Sequence, residues 1–403
     1  MGAATMEPEL PVGQRIREHR ERQGKSQAVV AGLCRITEDY LSRIERGKKT
    51  PTLPVLMSIA RELRIPVAVL LDEPSDPRPR TEKACADRRV ANALLGHVED
   101  PGRPPCSTAE LRAAVDSTWR AWETHPERFS AAADALPGLI HDVNAALRRH
   151  RSDADTHARR EIQRCAADMY FMLRSYCRRT GRADLSMMVA DRGLRAAEEA
   201  DDPIRIAAAR WNLGHILLGT GDPDAAADVA VRAVEQLGAD PQGEAAAMAG
   251  ALQLVAVVAD GRRKRYWAAR ERLAKSATPL ATAVGDGNAH HTVFGPTNVQ
   301  LHAVSIDTEA GNSRAALALA DRIDTSRLPL ERRFTFQLDV ARCWDLLRED
   351  AAVLVHLTDL AAVAPEDFAR NPMAIQMVTD LRKRARPTYR KQVVDLAERV
   401  GVR

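Results

Sequence analysis

The chain has 403 residues, 28% of them charged, and a net charge of only +4. That length exceeds one ordinary domain, so two or three are expected, and so small a charge leaves a nucleic-acid partner allowed but not demanded. The six cysteines form no C-x-x-C pair and no Cys/His cluster with zinc spacing, which excludes a disulfide scaffold or a structural zinc site. There is no basic-then-apolar leader, and the longest apolar run, Leu252 to Ala259 apart from Gln253, is too short to span a bilayer. The expectation is a reduced, cytoplasmic protein with no membrane partner, no metal and no cofactor. Aromatics make up only 4%, while Ala, Arg, Glu and Leu abound, which favours an all-α chain of closely packed helices.

Residues 1–10 read as a loose tail, and residues 11–72 as a first domain. Here twelve Lys/Arg stand against nine Asp/Glu within residues 1–72, so the positive excess is N-terminal. A helix from Val12 to Gln23 ends at Gly24. Ser26 then caps a second helix with Val30, Ala31 and Cys34 facing in. Thr37 caps a third, whose first turn carries Glu38 and Asp39, as the helix dipole favours. Leu41 and Ile44 supply its inward face, and Gly47 stops it. Arg43, Arg46, Lys48 and Lys49 make a basic rim around its outward side. Thr52 caps a fourth helix, with Leu53, Leu56, Ile59, Ala60 and Leu63 at helical spacing. A short polar-tipped helix with an apolar back and a basic rim suits a major groove.

The run Ser26-Gln27, Ala31, Ile36-Thr37, Leu41-Ser42-Arg43-Ile44-Glu45-Arg46-Gly47, Pro51-Thr52-Leu53, Leu56, Ile59-Ala60, Leu63, Leu70 resembles the xenobiotic-response-element (XRE) family of helix-turn-helix regulators, the class of phage repressor and Cro. The resemblance implies a five-helix, lambda-repressor-like domain that works as a homodimer on double-stranded DNA with a palindromic operator. It implies that Gln27 touches the DNA backbone and that Thr37, Glu38, Asp39 and either Ser42 or Arg43 meet base edges, with capping alone as the other reading of Glu38 and Asp39. Arg46 and Lys48 belong to the anchoring rim, and Glu45 to internal bracing. Arg35 and Arg64 depart from the pattern, standing where the family often has a turn glycine.

Residues 73–106, dense in proline, read as a linker holding one short helix, Thr81 to Leu95. From residue 107 to 403 nearly every stretch is amphipathic helix. Leu213-Gly214, Gly221, Ala226 and Ala233 fall at the offsets of a tetratricopeptide (TPR) repeat, which this stretch resembles. Weaker copies include Leu173 with Gly181, Glu309-Ala310-Gly311 with Ala320, and Leu338 to Leu357. A degenerate one covers Leu252 to Leu280 with Ala268-Ala269 at its turn. The expected fold is therefore a helix-turn-helix domain followed by a TPR-like α-solenoid, with Ser107 to Leu147 as its leading cap.

Such an array offers a concave face made by the first helix of each pair. That face should carry Trp211, Asn212, His215, Asn298 and His302, the two last being four apart and so on one side of a helix. Asparagine amides can grip an extended peptide backbone, or simply satisfy neighbouring groups. The run Phe294-Gly295-Pro296-Thr297-Asn298 must break a helix just before Asn298. The whole layout resembles the peptide-pheromone receptors of Gram-positive bacteria and the actinobacterial XRE-TPR regulators. No phosphate loop, zincin motif, nucleophile elbow or dinucleotide fingerprint is present, so no enzyme is expected. The leading expectation is a dimeric transcription regulator whose repeat domain senses a peptide or small-molecule effector. The alternative is a TPR interaction scaffold tethered to DNA by its head.

Overall fold

The computed structural model describes residues 12–63, 65, 67–71, 82–96, 106–150 and 156–402. The expected tail, Arg64 and most of the proline-rich spacer lie outside the described residues. Among those described there is no strand, so the fold is all-α. The chain divides into two compact units, residues 1–82 and 83–403.

The first unit holds α1 (Val12–Arg22), α2 (Gln27–Leu33), α3 (Glu38–Glu45), α4 (Leu53–Glu62) and α5 (Val67–Leu71). Its starts follow local chemistry. The Ser26 hydroxyl accepts the Val29 amide, and the Thr37 hydroxyl accepts the Tyr40 amide, each at 3.2 Å. Thr52, expected to do the same for α4, makes no side-chain cap bond; Pro54 presets that first turn instead. Ile16, Val30, Leu41, Ile44, Leu56, Ile59 and Leu63 form the core, whereas Leu53 is 61% exposed despite its helical spacing.

The turn between α2 and α3 answers the question posed by Arg35. The Ile36 amide donates to the Ala31 carbonyl at 3.0 Å and the Arg35 amide to that of Gly32 at 3.2 Å. This is a Schellman cap with arginine in the left-handed position, at φ 55. The turn keeps the geometry a glycine would give it, and the chain bears the steric cost. Arg35→Gly is therefore expected to stabilise this unit by up to about 1 kcal/mol, since glycine's own entropy cost offsets part of the relief. Urea unfolding of the full chain checks this; a loss of stability would mean that the Arg35 side chain contributes more than its backbone costs.

The second unit begins with α6 (Glu82–Leu94), the helix expected inside the linker. Its Val90, Ala91, Ala93 and Leu94 join the main apolar core, and its Asp87 accepts the Tyr176 hydroxyl at 2.6 Å. The flanking prolines masked an apolar stripe that finds a partner in the helical body. Antiparallel pairs follow: α7 (Thr108–Thr124) with α8 (Arg128–Arg149), α9 (Thr156–Arg179) with α10 (Ala183–Glu199), and α11 (Pro203–Thr220) with α12 (Pro223–Gln236). Then come α13 (Gly243–Arg262) with α14 (Tyr266–Arg272), a π turn at Leu273–Ala277 leading into α15 (Thr278–Val284), and α16 (Pro296–Glu309) with α17 (Ser313–Ala320). Next are α18 (Leu330–Leu346) with α19 (Asp350–Val363), α20 (Pro365–Arg370), and α21 (Pro372–Arg384) with α22 (Arg390–Arg399).

In the clearest repeat the G-D-P run acts as read. Gly221 takes φ 84, Asp222 accepts the Ala225 amide at 3.0 Å, and Pro223 opens α12. The degenerate repeat is different. Ala268-Ala269 is not a turn; Ala269 lies fully buried within α14, and the turn falls at Arg263 to Arg265, with Lys264 at φ 59. No glycine or proline marks that turn, so the small residues misled. Helix α13 is long and apolar enough to cross a membrane by composition, but most of it is buried in the unit's core.

The described pairs do not end as an open stack. Arg128 at the start of α8 is fully buried and bonds Asp367 of α20 at 2.8 and 2.5 Å. It also bonds Glu331 of α18 at 3.0 Å, and Arg179 of α9 bonds the same glutamate. Glu366 accepts the Phe129 and Ser130 amides at 2.7 and 3.1 Å, so α20 caps α8 from 236 to 237 residues away. The C-terminal pairs thus return to the leading one and enclose what the sequence presents as an open concave face.

Candidate functional sites

In the first unit, the outward side of α3 carries the residues singled out in the sequence. Thr37, Glu38, Asp39, Arg43, Arg46 and Lys48 are exposed, and Ser42 is half-buried. Arg43 pairs with Asp39 at 2.9 Å, one turn apart and both more than half exposed, a contact worth at most about 1 kcal/mol. The acidic tip and the basic rim are therefore joined in the free chain. The Arg46 Nε donates to the Ser42 carbonyl at 3.1 Å. Gln27 donates to Glu45 at 2.6 Å, which orients the start of α2 against α3. Glu45 is 6% exposed and also accepts two bonds from Arg20, at 2.7 and 2.8 Å. The bracing role expected of Glu45 is visible in these bonds, and Arg20 is its unforeseen partner.

In the second unit, Trp211, Asn212, His215, Asn298 and His302 all line one cavity of about 120 Å³. Its walls are the first helices of the pairs, α7, α9, α11, α13, α16 and α18. The asparagines are not free to grip a backbone. Asn212 accepts the Arg174 Nε at 2.6 Å and donates to the Ala208 carbonyl at 2.8 Å, and Asn298 accepts from Arg332 at 2.5 Å. They position arginines. His302 Nδ1 lies 2.8 Å from the Asn298 carbonyl, and Trp211 meets His215 edge-on at 4.4 Å. Burial, reinforced by nearby arginines, holds His215 well below the usual histidine range and His302 at about 3, so both are neutral near pH 7.

The sequence reading missed the arginines. Arg174 sits on α9 in a run otherwise apolar from Cys165 to Cys177 apart from Asp168 and Ser175, and Arg178 follows it four residues on. A lone cation in such a run is the signal that could have exposed them. Asp168 takes Arg112 at 2.7 Å and Arg205 at 3.0 and 2.9 Å, while its carbonyl takes the Trp119 indole at 3.0 Å. This network ties α7, α9 and α11 and sets one aromatic wall. Cys165 and Cys177 share α9, twelve residues and hence about 18 Å apart, so they cannot form a disulfide. Burial pushes these thiols up to about 11 and 12.

The loop before α16 closes over the cavity under strain. His290, His291 and Val293 take φ of 48, 61 and 54, each costing about 1–3 kcal/mol. The His291 ring stacks on Trp119 at 3.7 Å, and its Nδ1 lies 2.7 Å from Glu123. Phe294 is fully buried against Gly250; a Cβ there would stand 1.9 Å from its ring. Asp286 accepts the Thr297 amide at 2.9 Å and its hydroxyl at 2.6 Å, capping α16. The helix break read from F-G-P-T-N is thus the anchor of a strained rim.

Together the two units define a helix-turn-helix head and a helical-repeat body. Residues 11–72 match the family model of the helix-turn-helix domain, and the head is of the XRE type. Transcriptional regulator ClgR of Mycobacterium tuberculosis is 35% identical over 72 residues, which are 18% of this chain and 64% of that protein. HTH-type transcriptional regulator SinR of Bacillus subtilis is 36% identical over 63 residues, 15% of this chain and 57% of its own length. The chain thus spans about three fifths of these curated relatives. Among solved structures, Bacillus thuringiensis PlcR with the peptide PapR7 and DNA is 16% identical, covering 68% of this chain and 95% of its own, at a TM-score of 0.29. The apo competence regulator ComR of Streptococcus vestibularis is 15% identical, covering 82% and 98%, at 0.25. Scores this low do not place the folds on one another.

Proposed function

We propose that this protein is a sequence-specific, DNA-binding transcription regulator that acts as a homodimer. The observation that carries the reading is α3: a braced helix whose exposed side presents Thr37, Glu38, Asp39 and Arg43 within a helix-turn-helix unit. The names of ClgR and SinR, transcriptional regulators that share this unit, support the regulatory part. Two heads on one dimer would meet operator half-sites about 34 Å apart, or a multiple of that. The C-terminal unit dimerises and senses an effector, and its cavity is the feature that supports sensing.

Arg43→Ala is expected to weaken binding to the operator by about 1–3 kcal/mol and to leave random DNA nearly unaffected. The operator itself comes from genome-wide mapping of bound DNA, and titration of both DNAs by anisotropy makes the comparison. An equal loss on both would restrict Arg43 to phosphate contact. An absence of any sequence preference in the wild-type chain would sink the regulator reading altogether.

A further inference from the structure

The cavity wall carries three arginines, Arg174, Arg178 and Arg332, and among the described residues none of them forms an ion pair. Arg174 is 3% exposed and bonded through Nε to an amide, Asn212. Arg332 reaches another amide, Asn298, and its Nε is buried with no acceptor among the described residues. Arg178, one turn along α9 from Arg174, is exposed. The carboxylates on the same wall are committed elsewhere: Glu331 to Arg128 and Arg179, Glu123 to Asn288 and His291.

Arg174 and the Arg332 Nε are taken out of water with no carboxylate among the described residues in bonding contact, Glu331 and Asp339 acting on them only at longer range, and the preferred partner of such a group is a planar oxyanion held by two parallel bonds. Burial, with Arg178 nearby, pulls Arg174 down to about 9, the direction expected of a cation awaiting an anion. The same cavity is lined by Trp211, 5.4 Å from the Arg174 guanidinium, and by Trp119, one face of which His291 already covers. A cavity of about 120 Å³ has room for a molecule of roughly benzene's size.

We propose that the cavity binds a small aromatic or similarly flat monocarboxylate, its carboxylate on Arg174, Arg178 and Arg332 and its body against Trp119 and Trp211. The assignment rests on the reading of the C-terminal unit as an effector sensor and names the chemistry of that effector.

The test uses the full chain, titrated by calorimetry with benzoate, with benzamide as its neutral isostere, and with inorganic phosphate. Benzoate is expected to bind at least about tenfold more tightly than benzamide or phosphate. Arg178→Met and Arg332→Met are each expected to weaken benzoate by about tenfold or more, with circular dichroism unchanged. Arg178, being exposed, can be replaced without emptying the core. No benzoate binding, benzamide or phosphate binding as tight, or full affinity in both variants would overturn the proposal. Operator affinity is measured on the same samples. Benzoate binding that leaves operator affinity unchanged sinks the sensor reading and keeps the site. Specific DNA binding without benzoate binding sinks the site and keeps the reading of the chain as a DNA-binding regulator.

Discussion

Asp367→Ala is expected to destabilise the C-terminal unit by about 3–5 kcal/mol, because it strands a fully buried guanidinium. Arg128 loses two bonds and keeps Glu331 at 3.0 Å, the Trp122 carbonyl at 3.5 Å, and its seat 4.3 and 5.1 Å from the Trp122 and Phe129 rings. The cost arises from a buried charge left with one carboxylate, Glu331, in place of two, and not from the worth of the pair. The double variant Arg128→Met with Asp367→Leu should therefore recover most of the loss. Hydrogen exchange locates the effect: with Asp367 gone, the amides of the first turn of α8 and of α20 should lose protection before those of α13. Both helix ends meet at this point through Glu366. A change under about 1 kcal/mol for the single variant would mean that water or Glu331 already satisfies Arg128, and that the return of α20 to α8 is held by apolar packing alone.

Glu45→Ala is expected to have the larger functional effect. Glu45 accepts two bonds from Arg20 and one from Gln27, and both it and Arg20 are buried. Removing it leaves the buried Arg20 only the exposed Glu21 at 3.6 Å and the Lys25 carbonyl at 2.9 Å, at a cost of about 3 kcal/mol, and a unit of this size has on the order of that much stability to lose. The head should unfold at ambient temperature and DNA binding should vanish, while the transition of the C-terminal unit stays in place. Differential scanning calorimetry of the full chain separates the two transitions. Intact DNA binding in this variant would show that α1 and α3 are held by Ile16, Leu41 and Ile44 without the ion pair.

The two effects differ in how visible they were beforehand. Glu45 could be assigned to bracing from its place in a short motif, because a helix-turn-helix is built from residues close in sequence: caps at Ser26 and Thr37, a stop at Gly47, an apolar stripe through Leu41 and Ile44. Asp367 could not be assigned at all. Its partner stands 239 residues away, and a single ion pair leaves no period in the text. The candidate cavity lies between these cases. Five of its residues were placed on one surface by helical spacing, and they do line one cavity. Their chemistry was misread, since Asn212 and Asn298 orient arginines instead of meeting a ligand's backbone.

The sequence by itself determined the all-α class, the helix-turn-helix head with its capped third helix, and the paired helices of the body, because caps, turns and apolar periodicity act over a few residues. Only the tertiary structure decided that α6 belongs to the body and that α20 returns to cap α8. It alone placed three arginines around one small cavity. These outcomes depend on where burial leaves a charge or a carbonyl in need of a partner. That need exists only once distant helices have packed.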